Sequence, residues 1–297
     1  MSITIIVTTS AIQSHPSTEV IDQVINSFSH FTSSVNIAEI VIVCDGYNIT
    51  NNDNDVNSKA CKISQEIADN YEIYLDKLKE SYPGPLHRII RRKQHYGFAR
   101  NLKFVLDRVM TKYVLVIQHD WEFVKPIDMG KLVRAMDDNN KINYINFISS
   151  STTNYLTKMF KVNKGYNHKI DLNIVEKNNE KFGIPIVPLM FWYDKPHLCR
   201  TDFYKYFVFG KSHYNYKNHN IIKVKSFVED SFGNLILDNV KVRGLSEHSN
   251  YGTYLFYETP NEEHLRHING RGFITQEQRT ELIQKNKNIN KNNQSII

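Results

Sequence analysis

Strand-like and helix-like segments alternate along the first half of the chain. Five short segments have the length and apolar content of strands, at residues 3–7, 40–44, 87–92, 113–117 and 144–148. Apolar residues at helical spacing between them predict helices over residues 20–28, 60–78, 98–110 and 129–136. This alternation predicts an α/β fold with a mainly parallel central sheet and helices on both faces. Ligands of such sheets bind beyond the carboxyl ends of the strands.

The rhythm changes after residue 148. A serine and threonine cluster at 149–153 and a polar stretch at 165–183 predict loops and a smaller antiparallel part. The segment VKSF, at residues 224–227, has the character of a short strand. Beyond residue 240 the pattern predicts a helical or lid-like extension over 241–285, followed by a low-complexity polar tail over 286–297.

Composition places the 297 residues among folded globular proteins, with 41% hydrophobic and 23% charged residues. The three cysteines form no CxxC pair, which argues against a disulfide framework and suits a reducing compartment. No segment reaches the roughly 20 apolar residues that span a bilayer. The first apolar run follows no basic stretch, so it predicts a strand and not a signal peptide. We therefore expect a cytoplasmic protein without a membrane span.

The charge of the chain points to no particular partner. Its net charge of +6 arises from 37 basic and 31 acidic residues, which is a mild excess. The basic segment RIIRRK falls on a predicted strand and does not recur as a broad patch. We therefore expect no nucleic-acid partner.

Several familiar catalytic motifs are missing from the sequence. It contains no GxGxxG after the first strand, no GxxxxGK[ST] and no GxSxG, which disfavours dinucleotide enzymes, P-loop enzymes and α/β-hydrolases. HExxH is also missing. The nearest approach, EEHLRH, carries His264 and His267 three residues apart, and we interpret the two as histidines of a surface helix.

Potential metal ligands follow the apolar strand YVLVI. The next residues are Gln118, His119, Asp120, Trp121 and Glu122. One or two carboxylates, with phosphate oxygens from a nucleotide, commonly hold Mg²⁺ or Mn²⁺. The position after a buried strand favours a metal role for Asp120 and Glu122 over a solvated turn.

Further candidates lie at other predicted strand and helix ends. Asp45 closes the second strand, where its carboxylate could accept hydrogen bonds from a ribose or a base, although Asp-Gly is also an ordinary turn pair. Arg100 opens a helix and could contact phosphate. Asp230 could take a proton from a hydroxyl, or it caps a short helix. His248 could complete a metal shell, or it is structural.

The ordered series of these motifs resembles the GT-A glycosyltransferases, particularly family 2-like inverting enzymes. The series covers roughly residues 1–235 and comprises ITIIVTTS, VIVCDG, GFARN, VIQHDWEF and FVED. The QHDWEF form is also similar to small glycosyltransferases of large DNA viruses. The family's DxD motif appears here as Gln118-His119-Asp120, with glutamine in place of the first aspartate, or as Asp120-Trp121-Glu122.

The resemblance implies transfer of a sugar from a nucleotide diphosphate sugar, most simply a UDP-sugar, to a hydroxyl of a glycan or glycoprotein with inversion. It implies a GT-A domain over 1–240, divided into a nucleotide-sugar half (1–125) and an acceptor half (126–240). Asp230 would be the catalytic base, Glu229 would support it or contact the acceptor, and Asp120 would hold Mn²⁺ or Mg²⁺. Glu122, from the second registration, and His248, which matches no motif of the family, are the further candidate ligands of that metal. Donor contacts are assigned to Thr8, Thr9, Asp45, Arg92, Arg100, Gln118, His119 and Asp120.

Dense aromatic residues in FWYDKPHLCRTDFY suggest an acceptor platform, with Trp192 and Tyr193 stacking on sugar faces and His197 donating to a hydroxyl. Aromatic density is also typical of a core.

Two other functions stay open. One is a nucleotidyltransferase that forms nucleotide sugars and releases pyrophosphate; the other is a catalytically silent protein that binds nucleotide sugars or glycans. The sequence leaves the oligomeric state open.

Overall fold

A computed structural model describes residues 2–32, 35–51, 61–162, 173–210, 222, 226–280 and 283. Its strands are β1 Ser2–Thr9, β2 Asn36–Cys44, β3 Asn48–Ile49, β4 Lys62–Ile63, β5 His87–Arg91, β6 Tyr113–Gln118, β7 Trp121–Phe123, β8 Tyr144–Asn146, β9 Ile186–Pro188, β10 His197–Arg200, β11 Thr253–Phe256 and β12 Leu265–His267. Its α-helices are α1 Glu19–Asn26, α2 Gln65–Ser81, α3 Phe98–Leu106, α4 Met129–Asp138, α5 Tyr155–Val162, α6 Ile174–Phe182 and α7 Asn234–Arg243.

Eight of these strands form one central sheet in the order β5-β2-β1-β6-β10-β8-β11-β9. Strands β5, β2, β1 and β6 run parallel to one another, and β8 and β11 form a second parallel pair. Strands β10 and β9 run antiparallel to their neighbours. A separate two-stranded antiparallel sheet joins β7 to β12. The prediction of an α/β fold with a mainly parallel sheet and a smaller antiparallel part is confirmed.

The central strands are apolar throughout because helices cover both faces of the sheet. Along β1, Ile5 and Val7 pack in the core layer that contains residues of α1, α2 and α4. Ile6 points to the other layer, which contains the buried face of α3. Both layers exclude water, which fixes the register of β1 between β2 and β6.

Some element boundaries differ from the sequence prediction. Helix α2 begins only after Ser64, whose hydroxyl accepts the N–H of Ile67, because Ile63 belongs to the short strand β4. Helix α6 occupies part of the stretch 165–183 for which the sequence predicted loops, and α5 lies between the two predicted loops, while residues 163–172 lie outside the described part. Of the predicted strand VKSF, residues 224 and 225 also lie outside it. A π-helical turn, Glu229–Gly233, then leads into α7.

The boundary predicted at residue 240 does not coincide with a break in the architecture. Strand β11 lies inside the central sheet between β8 and β9, and all four of its residues are buried. Strand β12 pairs with β7, close to the end of β6. Described residues beyond 240 thus contribute strands to both sheets, while residues 281, 282 and 284–297 lie outside the described part. Among the helices described, none has the length and apolar content needed to cross a membrane.

Candidate active site

A cleft of about 270 Å³ opens at the carboxyl ends of β1, β2 and β6. Parallel strands bring their ends to one edge of the sheet, so residues far apart in sequence meet there. Six of the predicted donor residues line it, namely Thr8, Thr9, Asp45, Gln118, His119 and Asp120. The rest of the lining is Ser10, Ile12, Cys61, His95, Gly97, Phe98, Asn101, Phe227, His267 and Asn269.

Asp45 is buried and holds the loop that precedes α3. Its Oδ1 accepts the N–H groups of Gly46 (3.0 Å) and Tyr96 (2.9 Å), and its Oδ2 accepts that of Gly97 (3.0 Å). Oδ2 also lies 2.7 Å from Nδ1 of His95. These four contacts use the lone pairs of both oxygens. Asp45 thus shapes the cleft, and its carboxylate offers little to the nucleoside that the sequence assigned to it.

Two buried hydrogen-bonding atoms in the cleft lack a partner among the described residues. Nδ1 of His95 faces the Asp45 carboxylate, so in the neutral ring Nδ1 donates to this carboxylate and Nε2 is the acceptor. This Nε2 atom and Oδ1 of Asn101 are buried without a hydrogen bond. Both side chains are more than nine-tenths buried, at 7% and 3% exposure. Leaving such atoms unpaired costs free energy that a ligand bearing N–H or O–H groups would recover.

Asp120 lies opposite His267 at the mouth of the cleft. Its Oδ2 is 3.1 Å from Nε2 of His267. Burial acts to raise the pKa of Asp120, but the hydrogen bond from His267 and the charges of His119 and His267 hold that pKa below the usual carboxyl value. The carboxylate is therefore ionised at neutral pH and available to a cation.

His267 reaches Asp120 because β12 runs beside β7, with His267 opposite Trp121. The following loop lies against the same segment: a Cβ atom at Gly270 would come within 3.2 Å of Asp120 Cβ and His119 Nε2. A side chain at position 270 would therefore require Asp120 or His119 to shift by a few tenths of an ångström. The predicted surface helix around EEHLRH is wrong, since Leu265–His267 is a strand and His264 is buried.

Two predicted metal ligands do not face Asp120. Glu122 forms an ion pair with Arg266, the residue opposite it on β12, at 2.7 Å between Oε1 and Nε. His248 is buried in the turn Leu245–Asn250, with its Nε2 against the carbonyl of Thr253. Burial lowers the pKa of His248 to about 4, so the ring is neutral. The histidine beside Asp120 is thus His267 and not His248.

Asp45, His95 and Cys61 form the one cluster of potential metal ligands found among the described residues. One candidate ligand atom from each lies within 4.8 Å of the others. The hydrogen bonds of Asp45 described above already occupy its oxygens. A cation there would have to displace His95 from Asp45, so we place no metal in this cluster.

Arg92 and Arg100 line a different cleft, on the outer side of α3. Gly97 precedes helix α3, and its φ of 79° favours glycine. Positions 98 and 101 of the helix face the cleft at the strand ends. Position 100 therefore points elsewhere. The Arg92 guanidinium stacks over Phe104, 3.8 Å from the ring centroid. The structure thus separates both arginines from the other predicted donor residues.

The predicted acceptor platform is mostly core. Trp192 and His197 are fully buried, and the Trp192 ring packs edge-on against Tyr204 and Phe232. Burial lowers the pKa of His197 to about 3, and its Nδ1 lies 2.6 Å from the carbonyl of Lys195. Neither side chain can meet a glycan in this conformation. Tyr193 is half-buried and remains accessible.

The turn that contains Glu229 and Asp230 is held by Asp194, which sequence reasoning missed. Asp194 Oδ2 accepts the N–H groups of Val228 (2.7 Å) and Glu229 (3.2 Å), while Glu229 Oε2 accepts the N–H of Asp194 (3.1 Å). Burial and the charge of Glu229 raise the pKa of Asp194 well above its usual value. The Asp194 carbonyl also accepts a hydrogen bond from Gln118 of the cleft (3.3 Å).

Asp230 is exposed beside the cleft. Its Oδ2 accepts the N–H of Phe227 at 3.3 Å, and the ring of Phe227 lines the cleft. Glu229, in contrast, is engaged with Asp194. Asp230 is thus the carboxylate of this turn that an incoming molecule reaches.

Replacing Asp194 by alanine should destabilise the protein by about 2–4 kcal/mol, because two buried N–H donors and the Trp192 indole lose their acceptor. Chemical denaturation followed by circular dichroism measures this change. Asp202→Ala, at an exposed position, is the matched control and should stay within about 0.5 kcal/mol. Equal stability of the two variants would contradict the role of Asp194 as an anchor.

Comparison with known proteins finds similarity at the level of solved structures alone. No protein-family model matches the chain, and no curated protein matches it. S. aureus TarS is 12% identical with a TM-score of 0.41, over 87% of this chain and 36% of that one. TarS 1-349 in complex with UDP-GlcNAc is 9% identical with a TM-score of 0.42, over 93% and 62%. The mannosyltransferase PcManGT from Pyrobaculum calidifontis, in complex with GDP-Man and Mn²⁺, is 11% identical with a TM-score of 0.37, over 67% and 44%. The chain thus spans less than two thirds of each of these three structures.

Proposed function

We propose that this chain transfers a sugar from a nucleotide diphosphate sugar to an acceptor hydroxyl with inversion. The observation that carries the proposal is the cleft at the ends of β1, β2 and β6. It places the ionised Asp120 and His267 in one lining with the unpaired buried atoms of His95 and Asn101. An anionic group can bind near a cation site at one part of such a cleft, and a hydrogen-bond donor at another.

The nucleoside is assigned to the part of the cleft formed by His95 and Asn101. A lone pair on His95 Nε2 accepts an N–H of a base, and uracil offers one such group between two carbonyls. Thr8 and Thr9 are the last residues of β1 and line the adjacent wall. We therefore favour a UDP-sugar as the donor.

Asp120 is the residue that would hold Mn²⁺ or Mg²⁺, and His267 would join it only with its Nε2 released from Asp120 Oδ2, which it contacts at 3.1 Å in this structure. A carboxylate and an imidazole, together with diphosphate oxygens of the donor, form a ligand set that suits Mn²⁺ well, and the low pKa of Asp120 keeps its carboxylate charged. When bound, the ion neutralises charge on the departing diphosphate. Glu122, committed to Arg266, is left out of this set.

Asp230 is the proposed base. The acceptor oxygen forms a bond to the anomeric carbon as the bond from that carbon to the diphosphate oxygen breaks. The electron pair of the broken bond leaves with the diphosphate, and the hydroxyl proton passes to Asp230. A single displacement of this kind inverts the anomeric carbon.

A thermal-shift screen of nucleotides tests donor binding. A ligand that binds the native state alone raises the melting temperature, so UDP and UDP-sugars with Mn²⁺ should raise it more than ATP or GDP does. No stabilisation by any nucleotide diphosphate would contradict the proposal. Stabilisation without any transfer would instead favour a silent nucleotide-sugar-binding protein.

Replacing His95 by phenylalanine should weaken UDP binding by about tenfold, because the base loses its hydrogen-bond acceptor while the ring volume is kept. Isothermal titration of UDP measures the dissociation constant. His30→Phe, on the 3₁₀ turn Ser27–His30, is the control and should bind as the wild type does. Unchanged affinity in His95→Phe would remove His95 from the donor site.

A further inference from the structure

Beside the cleft, on the side of Asp230, two lysines converge on the serine cluster after β8. Lys195 Nζ donates to Ser149 Oγ at 2.8 Å and also contacts Ser151 Oγ. Lys158 Nζ donates to the carbonyl of Ser151 at 3.1 Å. Ser149 is fully buried, so Lys195 is drawn inward from the surface.

Two aromatic rings and residues next to the candidate active site lie near Lys195. Its Nζ lies 4.7 Å from the ring centroid of Tyr193 and 5.8 Å from that of Trp121, the residue after Asp120. Asp194, its neighbour in sequence, anchors the turn of Glu229 and contacts Gln118 of the cleft. A molecule bound at Lys195 therefore lies next to the site of the proposed transfer.

The ammonium of Lys195 forms no ion pair with a carboxylate of the described residues, although the charge of Glu229 acts on it. Within the described residues, no carboxylate forms an ion pair with Lys195 or Lys158. Burial lowers the pKa of Lys195 to about 8; the charge of Glu229 opposes this shift, that of Lys158 adds to it, and that of Glu263 opposes it. A half-buried cation beside a second cation is costly until an anion joins it.

We infer that Lys195, Lys158 and the hydroxyl of Ser151 form a subsite for an oxyanion, a phosphate or carboxylate, carried by the acceptor. This inference rests on the proposed function, because it takes the bound molecule to be the acceptor of the transferred sugar. Lysine ammonium and serine hydroxyl groups supply the donors that such an oxyanion accepts. Tyr193 offers its ring to the sugar that bears the charge. The acceptor class is thus an anionic glycan or a phosphorylated sugar.

The test uses the full chain with its cleft saturated by UDP, so that added anions cannot occupy the diphosphate position. Sulfate and acetate are titrated separately at constant ionic strength, and the fluorescence of Trp121 and Trp192 reports binding. The two anions distinguish a phosphate-like from a carboxylate ligand. Lys195→Gln and Lys158→Gln are compared with Lys131→Gln, which removes one charge at an exposed position of α4.

We expect saturable binding of at least one anion to the wild type, and a dissociation constant at least about tenfold higher in Lys195→Gln, since a charge-assisted hydrogen bond is lost. Lys158→Gln should show a smaller increase, and Lys131→Gln none. Sulfate keeps its charge across neutral and alkaline pH, so its affinity should fall as the pH rises through about 8 and Lys195 loses its proton.

Equal affinity in the wild type and Lys195→Gln, or no saturable binding of either anion, would overturn the inference. Failure of UDP to bind the wild type would instead contradict the proposed function, and in that case the titration is repeated without UDP. The two failures are therefore distinguishable.

Discussion

Asp120→Asn should lower the rate of sugar transfer by about a thousandfold or more. Asparagine keeps the size of the side chain but removes the negative charge that pairs with His267 and would hold Mn²⁺. Stabilisation of the departing diphosphate by a cation is worth several kcal/mol, and each 1.4 kcal/mol is about tenfold in rate. Release of the nucleoside diphosphate from a UDP-sugar, followed with and without EDTA, measures this effect.

Glu122→Gln is the matched control for Asp120→Asn. It removes a carboxylate two residues away that is paired with Arg266 and not with His267. We expect it to retain most of the transfer activity, and the wild type to lose activity with EDTA. If Glu122→Gln were as inactive as Asp120→Asn, the motif Asp120-Trp121-Glu122 would be the metal motif. Full activity in Asp120→Asn would exclude the role proposed for this residue.

Asp230→Asn should reduce turnover by about a hundredfold to ten-thousandfold, the usual contribution of a positioned base. The affinity for UDP should stay unchanged, because Asp230 lies on the acceptor side and outside the lining of the cleft. Steady-state kinetics with a fixed acceptor, together with titration of UDP, separate these two effects.

The neighbouring acid provides the comparison for Asp230→Asn. Glu229→Gln keeps an oxygen that can accept the N–H of Asp194, so we expect a smaller loss of turnover. Asp238→Asn, at an exposed position of α7, should have no effect. Turnover that survives in Asp230→Asn but is lost in Glu229→Gln would transfer the role of base to Glu229.

The hydrophobic pattern of the sequence predicted the strands of the central sheet that are buried on both faces. The apolar runs of β1, β2 and β6 are continuous because both faces of those strands are covered, and this property is visible in sequence. Strands β11 and β12 have four and three residues, and their positions depend on β8 and β7. Such long-range pairing leaves no periodic pattern, so residues after 240 were misplaced.

The candidate site divides in the same way. Thr8, Asp45 and Asp120 follow predicted strands, so their meeting at one edge of the sheet could be anticipated. His267 could not, because it arrives on a strand of three residues. The orientation of Arg100, in contrast, could be predicted from the sequence. The apolar face of α3 includes Leu102 and Val105, so position 100 lies on a different face of the helix. Asp45 and His95 are in contact in the structure. Which of the two offers a lone pair to a ligand depends on their hydrogen bonds, and these cannot be read from the sequence.

The most direct measurement for the central proposal is the identity of the nucleotide released by the wild type. The protein is incubated with UDP-sugars, Mn²⁺ and a mixture of neutral and anionic sugar acceptors, and the products are separated by anion-exchange chromatography with mass spectrometry. The proposed displacement at the anomeric carbon predicts UDP and a glycosylated acceptor, both lost in Asp120→Asn. Release of pyrophosphate from UTP and a sugar phosphate, with no UDP formed from any UDP-sugar, would contradict it and identify a nucleotidyltransferase.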